Sequence, residues 1–446
     1  MGFTIPGEVA AVVEALAAGG FEAYFVGGCV RDLLRGVTPE DWDVCTSAEP
    51  EQTARCLGRY TLIETGIKHG TLSALSGGTR VEVTTFRTDG AYSDGRHPDR
   101  VTFVRSLRED LARRDFTINA MAYALSGRVI DCFGGRSDLS DGVIRCVGDG
   151  AARFREDALR IMRALRFAST LGFAIEDGTR RAALENSALL RNISPERVSA
   201  ELGKLLIGVG AAEALGDNVS VIEAIIPELS ATVGFEQHNP YHDKTVWEHT
   251  VASVGSAPRD MTVRLALLLH DIAKPACYTN VNGIGHFHGH PAAGAEIARG
   301  ILRRLRFSGC AVDAVSKLIY HHDDRIRADA RTVRRWLGRL GETRLRQLIA
   351  VQRADTCAHS PFRRRERLAE LDDAADMLDG IISQNQCVTL RDLAVGGRDV
   401  IGAGVKQGPA VGSALRKLLE LVIDGELPNE RGVLIEKTKE ITVANN

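Results

Sequence analysis

Short apolar or β-branched runs bounded by Gly, Asp or Pro fill the first third of the chain. They are Tyr24–Val26, Trp42–Thr46, Thr71–Ala74, Arg80–Phe86, Val101–Val104 and Arg128–Phe133. Runs of this length and make-up predict strands. Gly77-Gly78, between two of them, is a hairpin signal. Helical spacing precedes the first strand from Glu8 to Ala18 and returns at Val30–Leu34. From about residue 150 the strand pattern stops. Leu159, Met162, Leu165 and Phe167 sit at helical spacing within Phe154–Leu171. Segments 195–208, 211–227, 245–256, 261–273, 291–306, 311–321, 331–351 and 364–382 keep the same period. Pro195, Pro291 and Pro409 suit first-turn positions. The pattern predicts a small α/β domain over roughly 1–145 and an all-α remainder, with no internal repeat.

Composition narrows the class. The 446 residues are 44% hydrophobic and 26% charged, which is globular and not disordered. A net charge of −2 means that any nucleic-acid contact must come from local patches. Only nine of the 56 basic residues are Lys. This bias fits genome base composition, or phosphate handling by guanidinium groups. No apolar stretch reaches about 18 residues, so no membrane span is expected. Met1–Ala17 carries Glu8 and Glu14 and lacks a basic start, unlike a signal peptide. Nine scattered cysteines without a Cys-x-x-Cys pair read as reduced thiols in a cytoplasm.

Three features of the first domain belong together. Tyr24-Phe25-Val26-Gly27-Gly28-Cys29-Val30-Arg31-Asp32 is strand, glycine turn and helix start, a form that lets backbone N–H groups close on a phosphate. Asp41-Trp42-Asp43 opens the next strand, and side chains at i and i+2 share a strand face. Two adjacent carboxylates repel unless cations lie between them, a spacing suited to one or two Mg²⁺ ions on nucleotide phosphates. Glu82 lies opposite the Val81/Val83 face of its strand. It could complete that cluster or serve a cross-strand salt bridge.

These stretches, with Arg113-Arg114-Asp115-Phe116-Thr117-Ile118-Asn119-Ala120, resemble the polymerase-β-type head of bacterial class II CCA-adding enzymes and poly(A) polymerases. Asp131-x-x-Gly134-Gly135-x-x-Asp138-Leu139, Arg155-Glu156-Asp157-Ala158-Leu159-Arg160 and Ile193-Ser194-Pro195-Glu196-Arg197 extend the match over residues 20–205. The resemblance implies an α/β nucleotidyltransferase (polymerase-β-like) head followed by an all-α neck, body/HD domain and tail. The expected divisions are head 1–145, neck and RNA-binding region 146–235, HD domain 236–360 and helical tail 361–446. It implies that Gly28 and Arg31 bind a triphosphate, that Asp41 and Asp43 hold Mg²⁺ with Glu82 as third carboxylate, and that Arg114 grips phosphates. Asp115 would accept from the ribose 2′-OH. Asp157, Arg160, Arg163 and Arg166 would line the nucleotide pocket. The three arginines recur every three residues and so share one sloping helix face.

A carboxylate beside a guanidinium suits cytosine and adenine, which both offer an exocyclic amine next to a ring acceptor. Guanine and uracil offer an oxo group beside an N–H and are left mispaired, at a cost of several kcal/mol in principle in a partly desolvated site. One site would thereby select CTP and ATP for addition to tRNA without a template. The Gly-, Asp- and Pro-rich segment Thr88–Asp99 reads as a mobile loop and resembles the loop of enzymes that add A as well as C.

Ten of the twelve histidines lie between His238 and His359. His249, His270-Asp271, His290, His321 or His322, and Asp355 are spread over predicted helices, an imidazole and carboxylate set suited to a divalent metal. This resembles the HD superfamily, with His249, His270, Asp271 and Asp355 at its core positions and His290 and His321 serving a second divalent metal. It implies an additional phosphohydrolase activity or a structural role in the body. Gly396–Asn429 resembles a tRNA-binding tail, or else caps the domain as an α-hairpin on Val411, Leu415, Leu418 and Val422. The expected function is CCA addition to tRNA. The rivals are a poly(A) polymerase, an HD phosphohydrolase with an RNA-tethering head, and a non-catalytic RNA-binding module.

Overall fold

The computed structural model describes residues 3–63, 66–90 and 100–444. The chain forms two compact units, Met1–Glu228 and Leu229–Asn446.

Among the described residues, nine strands lie before residue 132: β1 (Ala23–Val26), β2 (Trp42–Thr46), β3 (Thr61–Ile63), β4 (Thr71–Ser76), β5 (Thr79–Thr85), β6 (Arg87–Asp89), β7 (Val101–Phe103), β8 (Met121–Tyr123) and β9 (Val129–Asp131). Seven of them form one mixed sheet in the order β3-β4-β5-β2-β1-β8-β9. Residues alternate across it. Phe25, Trp42, Val44, Val81 and Val83 face the helix Gly7–Ala18, which buries Val9, Val12, Val13 and Leu16 against them. Val26, Cys45, Phe86 and Ala122 pack on the opposite face with Leu111. The Gly77-Gly78 hairpin joins β4 to β5, both glycines at positive φ.

All the expected strands are present. The sequence pattern missed β3, β6 and β8, each three residues long and too short to show alternation. β6 and β7 pair antiparallel at the stem of the expected mobile loop, whose residues 91–99 lie outside those described.

The rest is helical, with two exceptions. Val143–Ile144 pairs parallel with Ala174–Ile175, and Thr279–Val281 forms a hairpin with Ile284–His286 around Asn282-Gly283. Strands therefore do not stop at residue 150, but these are two or three residues long. Several expected helices are also broken. Phe154–Leu171 divides into Gly150–Glu156 and Leu159–Leu171. The 331–351 segment divides at Gly341, which has φ 75°, into Ala330–Leu340 and Glu342–Ala358. In both cases the apolar period runs on through the break, so periodicity alone could not reveal it.

In the second unit, helices Val246–Ser256, Met261–Leu269, Gly309–His321 and Glu342–Ala358 pack together. Leu265–Leu269 are all buried. The tail has its own core, in which Val400, Ala414, Leu418, Val422 and Leu434 are buried and Val411 and Leu415 half-buried. This matches the α-hairpin expectation.

Candidate nucleotidyl-transfer and metal sites

β2 and β5 run parallel, and their register sets Asp43 beside Glu82. Trp42, Val44, Val81 and Val83 point into the core, so both carboxylates project from the other face of neighbouring strands. Neighbouring strands are about 5 Å apart, so the two charges meet. Burial pushes the Asp43 carboxyl up to about 6; Arg114 opposes this, while Glu82 and Asp41 add to it. Asp41, one residue before β2, is exposed. Glu82 also has Arg80 4.0 Å away, with both side chains about half exposed, too long and too wet to be a strong pair. Asp41, Asp43 and Glu82 are three carboxylates whose repulsion a hard divalent cation would relieve.

The glycine turn stands over this cluster. Gly27 has φ 77°, and a Cβ there would lie 3.0 Å from an Arg114 guanidinium nitrogen and 3.4 Å from Asp43 Oδ2. A side chain at residue 27 would therefore crowd the Arg114 guanidinium by a few tenths of an ångström beside Asp43. Its Nε is buried without a hydrogen-bond partner, and Asp110 Oδ2 is 3.5 Å from its terminal nitrogen. Gly28 opens the helix Gly28–Leu34. Arg31 donates to Asn119 Oδ1 at 2.9 Å and pairs with Asp32.

The neck arginines meet the head around one ring. Phe167 is buried, and the guanidinium carbons of Arg166, Arg31 and Arg163 lie 3.7, 5.2 and 5.4 Å from its centroid. Phe116 packs edge-on against it. Sequence reading took Phe167 only as core; its place one residue after Arg166 was the available signal. Arg163 donates through two nitrogens to Asp115 Oδ2, at 2.9 and 2.6 Å. Burial would raise the Asp115 carboxyl, but Arg163 and Arg160 hold it well below the usual range. Its Oδ1 accepts from Phe116 N and Asn119 Nδ2. Arg166 pairs with buried Glu201 at 2.6 Å.

Asp157 and Arg160 are not one turn apart on a continuous helix, as the sequence suggested. Asp157 is extended, with φ −142°. Its Oδ1 accepts from Leu159 N at 3.0 Å and so caps the next helix, while Arg197 donates to Oδ2 at 3.0 Å. An Asp capping its own chain two residues on is a competitor to helix, which explains the break. Arg160 is held by Glu156 at 2.6 Å and by the Arg113 carbonyl at 3.1 Å. The two side chains remain neighbours in sequence at one helix start, but each arrives with a partner.

The second unit gathers its histidines. Nδ1 of His270, His290 and His322 lies 2.7, 2.8 and 2.7 Å from the carbonyl three residues earlier. A carbonyl only accepts, so each Nδ1 carries a proton and Nε2 is the nitrogen left to hold a lone pair when the ring is neutral. Those lone pairs converge. His290 and His322 Nε2 are 3.2 Å apart and lie 3.5 and 3.7 Å from Asp271 Oδ1. His270 Nε2 is 3.1 Å from Asp271 Oδ2 and 3.4 Å from Asp355 Oδ1. His249 Nε2 is 2.7 Å from Asp355 Oδ1. Asp271 Oδ1 and His270 Nε2 are buried without hydrogen-bond partners. Burial disfavours a charge on His270, yet Asp271 and Asp355 push it up to about 10. Burial takes His290 down to about 4. Facing lone pairs, orphaned acceptors and two carboxylates fit a divalent metal with nitrogen and oxygen ligands.

One residue of the expected set is corrected. His321 turns to Asp324, 2.6 Å away, and packs on Trp336, while His322 faces Asp271. Adjacent helical positions differ by about 100° in direction, so only one of the pair can enter the cluster. The sequence reading also missed His242, His359 and Lys274. His359 lies four residues after Asp355, a one-face spacing that could have found it. Lys274 Nζ lies 2.7 Å from Asp271 Oδ2.

Family comparisons agree with this division of chemistry. Residues 23–145 match the Poly A polymerase head domain, 172–231 the probable RNA and SrmB-binding site of polymerase A, and 248–359 the HD domain. A CCA-adding enzyme of Limosilactobacillus fermentum is 34% identical over 453 residues, covering 99% of each chain. One from Geobacillus stearothermophilus is 37% identical, covering 95% of this chain and 94% of its own. The crystal structure of the Bacillus stearothermophilus CCA-adding enzyme in complex with CTP aligns with TM-score 0.71 at 34% identity, covering 98% of both chains. With a polymerase-type head, an RNA-binding neck and full-length relatives of one kind, the chain belongs to the CCA-adding enzyme family of nucleotidyltransferases.

Proposed function

We propose that this protein adds or repairs the 3′-terminal CCA of tRNA from CTP and ATP, without a nucleic-acid template. The observation that carries the reading is the Asp43/Glu82 register beneath the Gly27 turn, with Arg114 drawn into the same space. Mg²⁺ held by Asp41, Asp43 and Glu82 would lower the pKa of the attacking 3′-hydroxyl and neutralise the leaving pyrophosphate. Gly28, Arg31 and Arg114 hold the triphosphate, and Asp115 orients the ribose. Asp157 and Arg160 face the base edge, while Arg163 and Arg166 line the pocket. Full-length relatives named CCA-adding enzymes favour this reading over poly(A) synthesis.

The divisions we adopt are head 1–145, neck 146–235, HD domain 236–360 and tail 361–446. The HD cluster, with His322 in place of His321, binds divalent metal at two positions. One is framed by His249, His270, Asp271 and Asp355 and the other by Asp271, His290 and His322. Such a cluster supports a phosphohydrolase activity beside nucleotide addition. The scattered cysteine pattern supports a cytoplasmic place of action. The test is to offer each labelled nucleotide to unmodified tRNA transcripts ending before CCA and after CC. C addition to the first and A addition to the second is the expected result. Long A tails, or no incorporation, would overturn the reading.

A further inference from the structure

We propose that His242 and His359 form a third cation position in the second unit, beside the two described above and linked to them through His249 and Asp355. The inference rests on the divalent-metal reading of that cluster. The ligating nitrogens of His242, His249 and His359 lie within 4.8 Å of one another. His249 also belongs to the group with His270 and Asp355, so His242 and His359 are the two additional imidazoles. His359 Nε2 is 3.5 Å from Asp355 Oδ1, too long for a hydrogen bond. It is about the separation of two ligand atoms that share one ion at bond lengths near 2.1 Å.

The position is built from two segments tied together. His242 Nδ1 lies 2.9 Å from Asn239 Oδ1, an outer-shell bond that makes Nε2 the ligating nitrogen, where it now accepts from Lys274. The loop carrying His242 is fixed to the end of the His359 helix, because Ser360 N donates to Tyr241 O and Ser360 Oγ to Pro240 O, at 2.8 and 2.6 Å. The rings of His242 and His359 have centroids 4.7 Å apart. His249 is fully buried, and its Nδ1 has no hydrogen-bond partner. The charge already present beside this position is Lys274, whose Nζ lies 3.3 Å from His242 Nε2 as well as against Asp271. That ammonium marks where positive charge is accommodated, and a metal ion at His242 competes with it. Asp271 is thus shared by the first two positions, and Asp355 by the first and third.

Two or three imidazoles with few oxygens select a late first-row divalent ion such as Co²⁺, Ni²⁺ or Zn²⁺ over Mg²⁺. This separates the third position from the oxygen-lined site of the head. The experiment uses the full chain with Asp41→Asn and Asp43→Asn, so that the head contributes no metal. The protein is stripped with a chelator, reloaded with Co²⁺, desalted and analysed for bound metal by mass spectrometry, with circular dichroism as the folding control. Three equivalents are expected in this parent. Two are expected in His242→Gln and in His359→Gln, and three in His321→Ala. Lys274→Met should tighten the third equivalent by tenfold or more. Two equivalents in the parent, or three retained in both glutamine variants, would overturn the third position and leave the earlier metal reading standing; a single equivalent would overturn the two-position reading as well. No equivalents in the parent would overturn both. Loss of every equivalent in a folded His359→Gln protein would show one indivisible centre and also refute a separate position.

Discussion

At the scale of single residues, Asp43 concentrates the chemistry. Its carboxyl is raised from the ordinary 3.8 to about 6 by burial and by Glu82 and Asp41, against Arg114. In the metal-free protein the folded head therefore keeps a proton between those pH values that the unfolded chain has released. Stability falls as pH rises through that window, and the penalty is complete above about pH 6. Asp43→Asn removes it. Thermal unfolding without metal should show this variant more stable than the parent at pH 8 and no more stable at pH 4, while nucleotide incorporation is abolished. A lower melting temperature at pH 8 would mean that the carboxylate is satisfied by a partner within the fold. Asp157 carries the second residue-scale prediction. Asp157→Ala removes a helix cap, worth about 1 kcal/mol, and, on the proposed reading, one acceptor for the base edge. CTP and ATP incorporation should fall roughly five- to a hundredfold, matching 1–3 kcal/mol for a charged hydrogen bond. The penalty against UTP and GTP should shrink. Unchanged rates and selectivity with all four nucleotides would send the search for base reading to the bound RNA.

Elements decide which of these residues can act together. The strand pattern of the sequence was enough to place Asp43 and Glu82 on outward faces, because alternation with Trp42, Val44, Val81 and Val83 is visible in one dimension. That β2 and β5 are neighbours in parallel register was not visible, since pairing depends on the whole sheet. The same limit explains His321 and His322. Both lie at the end of an apolar helical run, and the direction that faces Asp271 is set by packing against other helices. Breaks at Asp157 and Gly341 escaped the period because hydrophobic residues continue on either side. The Gly27 turn supplies the element-scale prediction. Gly27→Ala combines a positive-φ backbone outside the left-handed helical well, costing about 1–3 kcal/mol, with a Cβ 3.0 Å from the Arg114 guanidinium. Steady-state kinetics should show kcat/KM reduced at least tenfold for CTP and ATP alike. An active Gly27→Ala enzyme would show that Arg114 need not reach past the turn.

For the whole molecule, the two units present different donor sets. The head presents carboxylate oxygens and the second unit mostly imidazoles, so the two should differ in metal preference. His270→Ala with Asp271→Ala should leave CCA addition within about threefold of the parent and remove any metal-dependent phosphoesterase activity. If the parent binds metal there but hydrolyses no phosphoester, the cluster is structural. The central claim is that one head-and-neck site performs both the C and the A additions. The most direct measurement is single-nucleotide-resolution extension of a tRNA transcript lacking CCA, with CTP and ATP together. It compares the parent, Asp43→Asn and the His270→Ala/Asp271→Ala double variant. The account predicts complete CCA ends from the parent and the double variant, and neither C nor A from Asp43→Asn. A addition surviving in Asp43→Asn, or CCA addition lost in a folded double variant, would contradict it.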